Sequence, residues 1–514
     1  MKLLRKTTAF LPVLLLLLAA VLPGNRAEAL KPVASPAAKK PPAAAAAEPQ
    51  AKPPESLSYG RFGQVAIYRS SPHPKNVVLF LSGDGGWNLG VVDMARILSS
   101  MDSLVVGINA PQYVKKLNAS KERCVYPASD LELLSKFVQK TFGFPTYVPP
   151  VLVGYSSGAT LAYAILAQAP PNTYRGAISL GFCPDLDLQH PFCAGHGIAS
   201  VPGPKNKGLI FKPTATLEEP WISFQGTIDQ VCNKDDMVRY VSQVKNGEIV
   251  LLPDVGHGFS KTYKWEPQLR QSYQKILNKS PIGSPAASAN PGTPAPAAAK
   301  GGVPAVNDLP LVEVPVKSGT ASTMMAVVVS GDGGWAGLDK EVAGALSTKG
   351  IPVVGVNSLQ YFWKARTPEG IAKDLDRILR HYMATWNRQE VMLIGYSLGA
   401  DVLPFAASRL PADLLGKVKV MALLGPSTKA EFEFHVSSWL GGGDSEGQPV
   451  LPEVKKLGGR PPILCLHGSK ESDSLCPSLT AAQGKSVELP GAHHFGGDYE
   501  AVANLILKEA QQGK

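Results

Sequence analysis

Several functional classes are excluded by what this 514-residue chain lacks. It has only six cysteines, and none of them forms the C-x-x-C pair of a zinc or thiol-redox centre. Its net charge is +10, yet no five consecutive residues are Lys or Arg and no nucleic-acid module is recognisable, so nucleic acid is not expected as a partner. Two glycine-rich loops are present, but neither runs on into Lys-Ser or Lys-Thr, which removes a phosphate-cradling nucleotide site. The apolar run Ala9 to Leu22 is short for a membrane span, and no cysteine follows it to carry a lipid. No motif in the sequence calls for a cofactor or a metal.

What is present starts with that run. Lys2, Arg5 and Lys6 precede it and Ala27-Glu28-Ala29 follows it, the three-part pattern of a cleaved secretory signal over residues 1–29. Secretion puts the cysteines in an oxidising compartment, where pairing is expected. Residues 30–56 are rich in Ala, Pro and Lys and have little to bury, so they read as an extended tether. Residues 281–307 have the same character and separate two globular halves, 57–280 and 308–514.

Each half alternates short apolar strands with helical stretches, which predicts a mostly parallel sheet flanked by helices. Expected strands in the first half include Val77 to Leu81, Leu104 to Ile108, Val151 to Val153 and Trp221 to Gln225. The second half offers Ala326 to Val329, Pro352 to Val356, Val391 to Ile394 and Ile463 to Leu466 at matching places. Ser82-Gly83-Asp84-Gly85-Gly86-Trp87 recurs verbatim as Ser330-Gly331-Asp332-Gly333-Gly334-Trp335, and a Gly-x-Ser-x-Gly string follows in both. A repeat of this length at equivalent positions indicates duplication of one unit: two tandem α/β-hydrolase-like domains.

The two strings are Gly154-Tyr155-Ser156-Ser157-Gly158 and Gly395-Tyr396-Ser397-Leu398-Gly399, each between an apolar strand and a helix, where a nucleophilic serine sits on a sharp turn. A serine hydroxyl needs a histidine to take its proton and a carboxylate to orient that histidine. The order serine, acid, histidine is kept in both halves. In the second half the acid is Glu471 or Asp473; aligning Asp-x-x-Cys with Asp229-Gln230-Val231-Cys232 selects Asp473, with Glu471 in reserve. The histidines are His493 and His257, aligned on Phe495 and Phe259. The expected catalytic set is therefore Ser397, Asp473 and His493, with Ser156, Asp229 and His257 as a second triad. Backbone amides of Asp332, Gly333 and Leu398 are the expected oxyanion hole. Asp401 and His494 are expected substrate contacts, because a carboxylate beside such a hole makes sense for a cationic substrate. Cys465 and Cys476 flank the acid loop and are expected to pair; Cys124, Cys183, Cys193 and Cys232 leave three pairings open. Residues 427–459, with Phe432, Phe434, Trp439 and Gly441 to Gly443, are the expected lid or lipid-contacting flap.

These motifs, with Tyr361-Phe362-Trp363-Lys364-Ala365-Arg366-Thr367-Pro368 and His493-His494-Phe495, resemble the bacterial virulence protein VirJ family. A signal segment followed by two related domains resembles its AcvB-type members. The resemblance implies a periplasmic protein linked to virulence and type IV secretion, and a serine hydrolase acting on aminoacylated phosphatidylglycerol, above all the lysyl form. The aminoacylated lipid at the membrane surface is then the expected partner, and a basic protein suits an anionic surface. The alternative is a non-catalytic interaction factor for type IV secretion components or substrates. The first half lacks the Phe-Trp-Lys-Ala-Arg-Thr-Pro stretch and is expected to serve as a docking module.

Overall fold

The structure is a computed structural model that describes residues 54–279, 303–320, 322–434 and 447–512. The signal segment, nearly all of the tether, most of the linker and the 435–446 part of the expected flap lie outside the described residues. Among the described residues no helix is long and apolar enough to cross a membrane.

The first sheet has eight strands: β1 (Glu55–Tyr59), β2 (Gly63–Tyr68), β3 (Asn76–Leu81), β4 (Ser103–Ile108), β5 (Val151–Tyr155), β6 (Gly176–Leu180), β7 (Trp221–Gly226) and β8 (Gly247–Leu252). Their spatial order is β1-β2-β4-β3-β5-β6-β7-β8. β2 is antiparallel to both β1 and β4, and the pairings from β4 through β3 to β8 are parallel. The sequence reason is direct: β3 and β4 are continuous apolar runs buried on both faces, and such strands sit inside a helix-covered parallel sheet. Glu55 and Ser56, assigned by composition to the tether, already pair with Ile67 and Ala66.

The second sheet repeats the plan with seven strands: β9 (Leu311–Val314), β10 (Met324–Val329), β11 (Val353–Val356), β12 (Glu390–Tyr396), β13 (Val418–Leu424), β14 (Ile463–Gly468) and β15 (Lys485–Leu489), in the order β9-β11-β10-β12-β13-β14-β15. β9 is the antiparallel edge, matching β2, and no partner to β1 is present among the described residues. This is the α/β-hydrolase arrangement built twice.

The order also fixes where chemistry can occur. Strand order reverses between β3 and β5, and between β10 and β12, so a crevice opens beyond the carboxyl ends of each pair. The glycine-rich loop leaves β3 or β10 and the serine leaves β5 or β12, so both arrive at that crevice. Three disulfides, Cys124–Cys193, Cys183–Cys232 and Cys465–Cys476, fit an oxidising compartment.

Candidate functional sites

Ser156 and Ser397 stand at φ 55° and 52°, the left-handed backbone that a sharp strand-to-helix turn imposes. The flanking glycines are required by space: a Cβ on Gly154 would meet the Gly158 carbonyl oxygen at 1.9 Å, and one on Gly399 would meet that of Val329 at 2.0 Å. Each serine N–H donates to the neighbouring strand, to Leu180 O or Leu424 O, at 2.9 Å. The turn is thereby held while the hydroxyl projects into the crevice at the head of the helix Ser157–Gln168 or Leu398–Ala407.

In the first half the three expected side chains are joined. His257 Nε2 lies 3.0 Å from Ser156 Oγ, and His257 Nδ1 lies 2.9 Å from Asp229 Oδ2. The other oxygen of Asp229 accepts from the backbone N–H of Val231 at 2.8 Å and Cys232 at 3.1 Å, so both oxygens of a buried carboxyl are held by oriented partners. Asp229, Cys232 and His257 also cluster closely enough to suit a metal ion, but Cys232 is bonded to Cys183 and has no thiolate to offer. That disulfide ties the acid loop to the segment after β6. The fold therefore presents the first half with a complete proton-transfer chain, where a docking module was expected.

In the second half His493 Nδ1 hydrogen-bonds to Glu471 Oε1, and the expected acid, Asp473, does not reach the imidazole. Asp473 instead accepts from Thr428 Oγ1 at 3.2 Å. Glu471 is further fixed by accepting from the Gly468 N–H at 2.6 Å. The reason lies in the strand end. Gly226 and Gly468 close β7 and β14, and the acid comes three residues later in each case, as Asp229 and Glu471. The Cys465–Cys476 disulfide staples the same loop, as expected.

Among the described residues no hydrogen bond joins Ser397 Oγ to His493. The imidazole nonetheless lies at the turn, its ring 5.1 Å from that of Tyr396. Glycine makes room for it in both halves: a Cβ on Gly425 would meet His493 Cε1 at 2.8 Å, and one on Gly181 would meet His257 Cε1 at 3.1 Å. The tyrosine of each elbow anchors the histidine loop, Tyr155 donating to His257 O at 3.0 Å and Tyr396 to His493 O at 3.4 Å. Tyr396 also meets His494 Nδ1 at 3.1 Å. Burial and the neighbouring His493 push the His494 pKa down.

The glycine-rich loop reaches the serine: a Cβ on Gly331 would stand 3.5 Å from Ser397 Cβ. The Gly333 N–H, expected in the oxyanion hole, also works to lower the pKa of the neighbouring Asp332. Leu398 opens its helix, so its N–H has no partner within the helix.

Carboxyl groups crowd the second site. Burial pushes the Asp332 pKa up, and Lys136 works against that shift. Burial raises that of Asp401 further, with Asp332, Asp473 and Glu431 adding to the effect, while Asp401 Oδ1 accepts from the Ser427 N–H at 2.6 Å. Asp339, under the same loop, is raised by burial too.

Lys136 belongs to the first half. It sits on the helix Pro127–Thr141, fully buried and 2.9 Å from Glu132. From the same helix Lys140 Nζ donates to Trp363 O at 2.6 Å and pairs with Glu433 at 3.2 Å, while Trp363 Nε1 donates to Phe144 O at 2.8 Å. Tyr147, Leu359, Trp363 and Phe434 form a buried cluster across this joint. Beside it a cavity of ≈ 620 Å³ is lined from one side by Glu132, Tyr147 and Asn172 and from the other by Gly333, Gly334 and Glu313. The Phe-Trp-Lys stretch is thus structural glue, and Phe434 is sealed in the joint where a mobile flap residue was expected. Nothing in the sequence marks Lys136 or Glu132; a Glu/Lys pair four apart on a helix ordinarily faces water.

A profile of the family described as Bacterial virulence protein (VirJ) matches residues 75–180 and 323–514. Among curated proteins none matches. Solved structures similar to this chain include an α/β serine hydrolase of Xanthomonas campestris described as having no lid, at 18% identity and TM-score 0.29, covering 46% of this chain and 98% of that one. An esterase domain from a Rhodothermus marinus protein shares 14% identity at TM-score 0.28, covering 43% and 97%. An esterase of Thermogutta terrifontis shares 15% at TM-score 0.32, covering 45% and 96%.

Proposed function

This chain belongs to the bacterial virulence protein (VirJ) family, and from that membership together with its serine elbows we propose that it is a periplasmic serine hydrolase whose second half cleaves the aminoacyl ester of aminoacylated phosphatidylglycerol, the lysyl form above all. The observation that carries the substrate class is the crowd of carboxylates, Asp332, Asp401, Asp473 and Glu431, around a serine elbow. Such a field disfavours an anionic acyl group and favours an ammonium.

In the reaction His493 turns from its resting position to Ser397, as His257 already faces Ser156, and takes the hydroxyl proton. Ser397 Oγ bonds to the ester carbonyl carbon while the amides of Asp332 and Leu398 hold the oxyanion. The C–O bond to the glycerol breaks, His493 returns the proton to that oxygen, and phosphatidylglycerol leaves. Water then gives a proton to His493 and its oxygen to the acyl carbon, releasing the free amino acid and restoring Ser397. Glu471 orients His493 and stabilises its charged form. Asp332 and Asp401 hold the substrate's ammonium, and His494 positions the elbow through Tyr396.

The test is lipid analysis of a deletion strain complemented with the wild-type chain or with Ser397→Ala. Accumulated lysyl-lipid in the Ser397→Ala strain is the expected result. Normal lysyl-lipid in that strain would refute the reading.

A further inference from the structure

The first half carries the better-connected of the two serine sites, in different surroundings. Counting from the strand-closing glycines, Ile228 stands where the second half has Lys470, and Val231 where it has Asp473. Counting from the serines, Thr160 replaces Asp401; counting from the glycine-rich loops, Val91 replaces Asp339. Three of these four exchanges remove a carboxylate from the first site. Thr160 keeps only a local tie, donating to Cys183 O at 2.6 Å where Asp401 accepts from the Ser427 N–H. Val91 is simply core.

The loop that carries Asp229 is the informative one. Ile228 is 58% exposed and Val231 67% exposed, and both flank the acid of the hydrogen-bonded triad. Exposing two branched aliphatic side chains within two residues of a reactive centre costs solvation free energy that Lys or Asp would avoid. Read as an apolar rim of the Ser156 site, these two side chains would suit a substrate that brings an apolar group to it.

We propose that the first half is a second, independent serine hydrolase site that takes esters of uncharged, apolar acyl groups. His257 Nε2 takes the proton of Ser156, whose Oγ bonds to the carbonyl carbon while the amides of Asp84 and Ser157 receive the oxyanion. The carbonyl–alkoxy bond breaks and His257 protonates the departing alcohol. Water then delivers its proton to His257 and its oxygen to the acyl carbon, the bond to Ser156 Oγ breaks to give the carboxylic acid, and His257 returns the proton to Ser156 Oγ. This stands apart from the aminoacyl-lipid reading, which rests on Ser397.

The experiment uses the purified full chain with 4-nitrophenyl butyrate as the uncharged ester and lysine 4-nitrophenyl ester as the cationic one. In a Ser397→Ala background, Ser156→Ala is expected to lower butyrate turnover by about 1000-fold or more, and a fluorophosphonate probe modifies Ser156. The pair Ile228→Glu with Val231→Asp is expected to raise the ratio of kcat/KM for the lysine ester over the butyrate by about fivefold, the scale of exposed charge pairs. Measuring that ratio in a Ser397→Ala background confines it to the first site. Butyrate turnover that survives Ser156→Ala but is lost in Ser397→Ala would overturn the proposal. So would a wild-type chain with no butyrate turnover and an unmodified Ser156. An unmoved ratio would overturn the apolar rim.

Discussion

Glu471→Gln and Asp473→Asn form a matched pair whose effects should differ by about three orders of magnitude. The Glu471 carboxylate accepts from His493 Nδ1 and from the Gly468 N–H. A glutamine that keeps the Gly468 bond through its oxygen turns its NH₂ toward Nδ1. The imidazole must then carry its proton on Nε2, the nitrogen that has to be bare to accept a proton from Ser397. Loss of the same contact in a serine triad costs about 10⁴ in kcat, or about 5 kcal/mol at 1.36 kcal/mol per tenfold. Asp473→Asn keeps an oxygen to accept from the exposed Thr428 at 3.2 Å and removes only the charge behind that bond. A net 0.5–1.5 kcal/mol for one ordinary hydrogen bond bounds its effect at about tenfold. Both variants are assayed as purified full chains in a Ser156→Ala background, following lysine release from a lysyl ester. If Asp473→Asn were the crippled enzyme, or Glu471→Gln ran near the parent rate, the acid assignment made from geometry would be refuted.

Asp401→Asn should raise KM for a lysyl ester by about 10- to 100-fold, the scale of one charge-assisted hydrogen bond, with little change for an uncharged ester; equal effects on both would remove the ammonium from the picture. Asp339 is buried with Oδ1 unpartnered among the described residues, and its folded-state pKa is raised by burial, so it contributes stability that falls as pH rises above the unfolded carboxylate value of about 3.8. The difference in melting temperature between Asp339→Asn and the parent should therefore shift in favour of the variant from pH 4 to pH 7, and a flat difference would contradict this. Trp363→Ala opens the joint between the halves and should cost about 3–5 kcal/mol, seen as the two halves melting separately in calorimetry; a single unaltered transition would be the contrary result. Removing Cys124–Cys193, which closes 69 residues of chain, should cost about 4 kcal/mol against about 3 kcal/mol for Cys465–Cys476, which closes 11, by denaturant midpoint.

The sheet, the elbows and the histidine loops were legible because they are written twice, and repetition separates signal from accident. The acid was misassigned through the choice of ruler. Asp229 lies three residues before Cys232, whereas Glu471 lies five before Cys476, so the second loop holds two extra residues. Counting back from the cysteine lands on Asp473; counting forward from the strand-closing glycine lands on Glu471. The glycine is the sounder reference, because the strand end is fixed by the sheet while the loop absorbs length before its disulfide. The first half was undervalued because it lacks the Phe-Trp-Lys stretch, yet that stretch packs a joint and touches no proton-transfer group. The edge strands Glu55–Tyr59 and Leu311–Val314 escaped detection because they are short and mostly uncovered, with little continuous apolar character. The burial of Lys136 depends on how two halves meet, which no periodicity along one helix encodes.

Among the described residues the second sheet ends on Leu311–Val314, and this edge borders the cavity shared with Pro149, Pro171 and Asn172 of the first half. A bare strand edge is an invitation to pair with another copy. Severing the halves would uncover that edge together with Trp363 and Phe434, so the separated second half should self-associate on expression. Appending a charged capping strand to it should restore a monodisperse monomer.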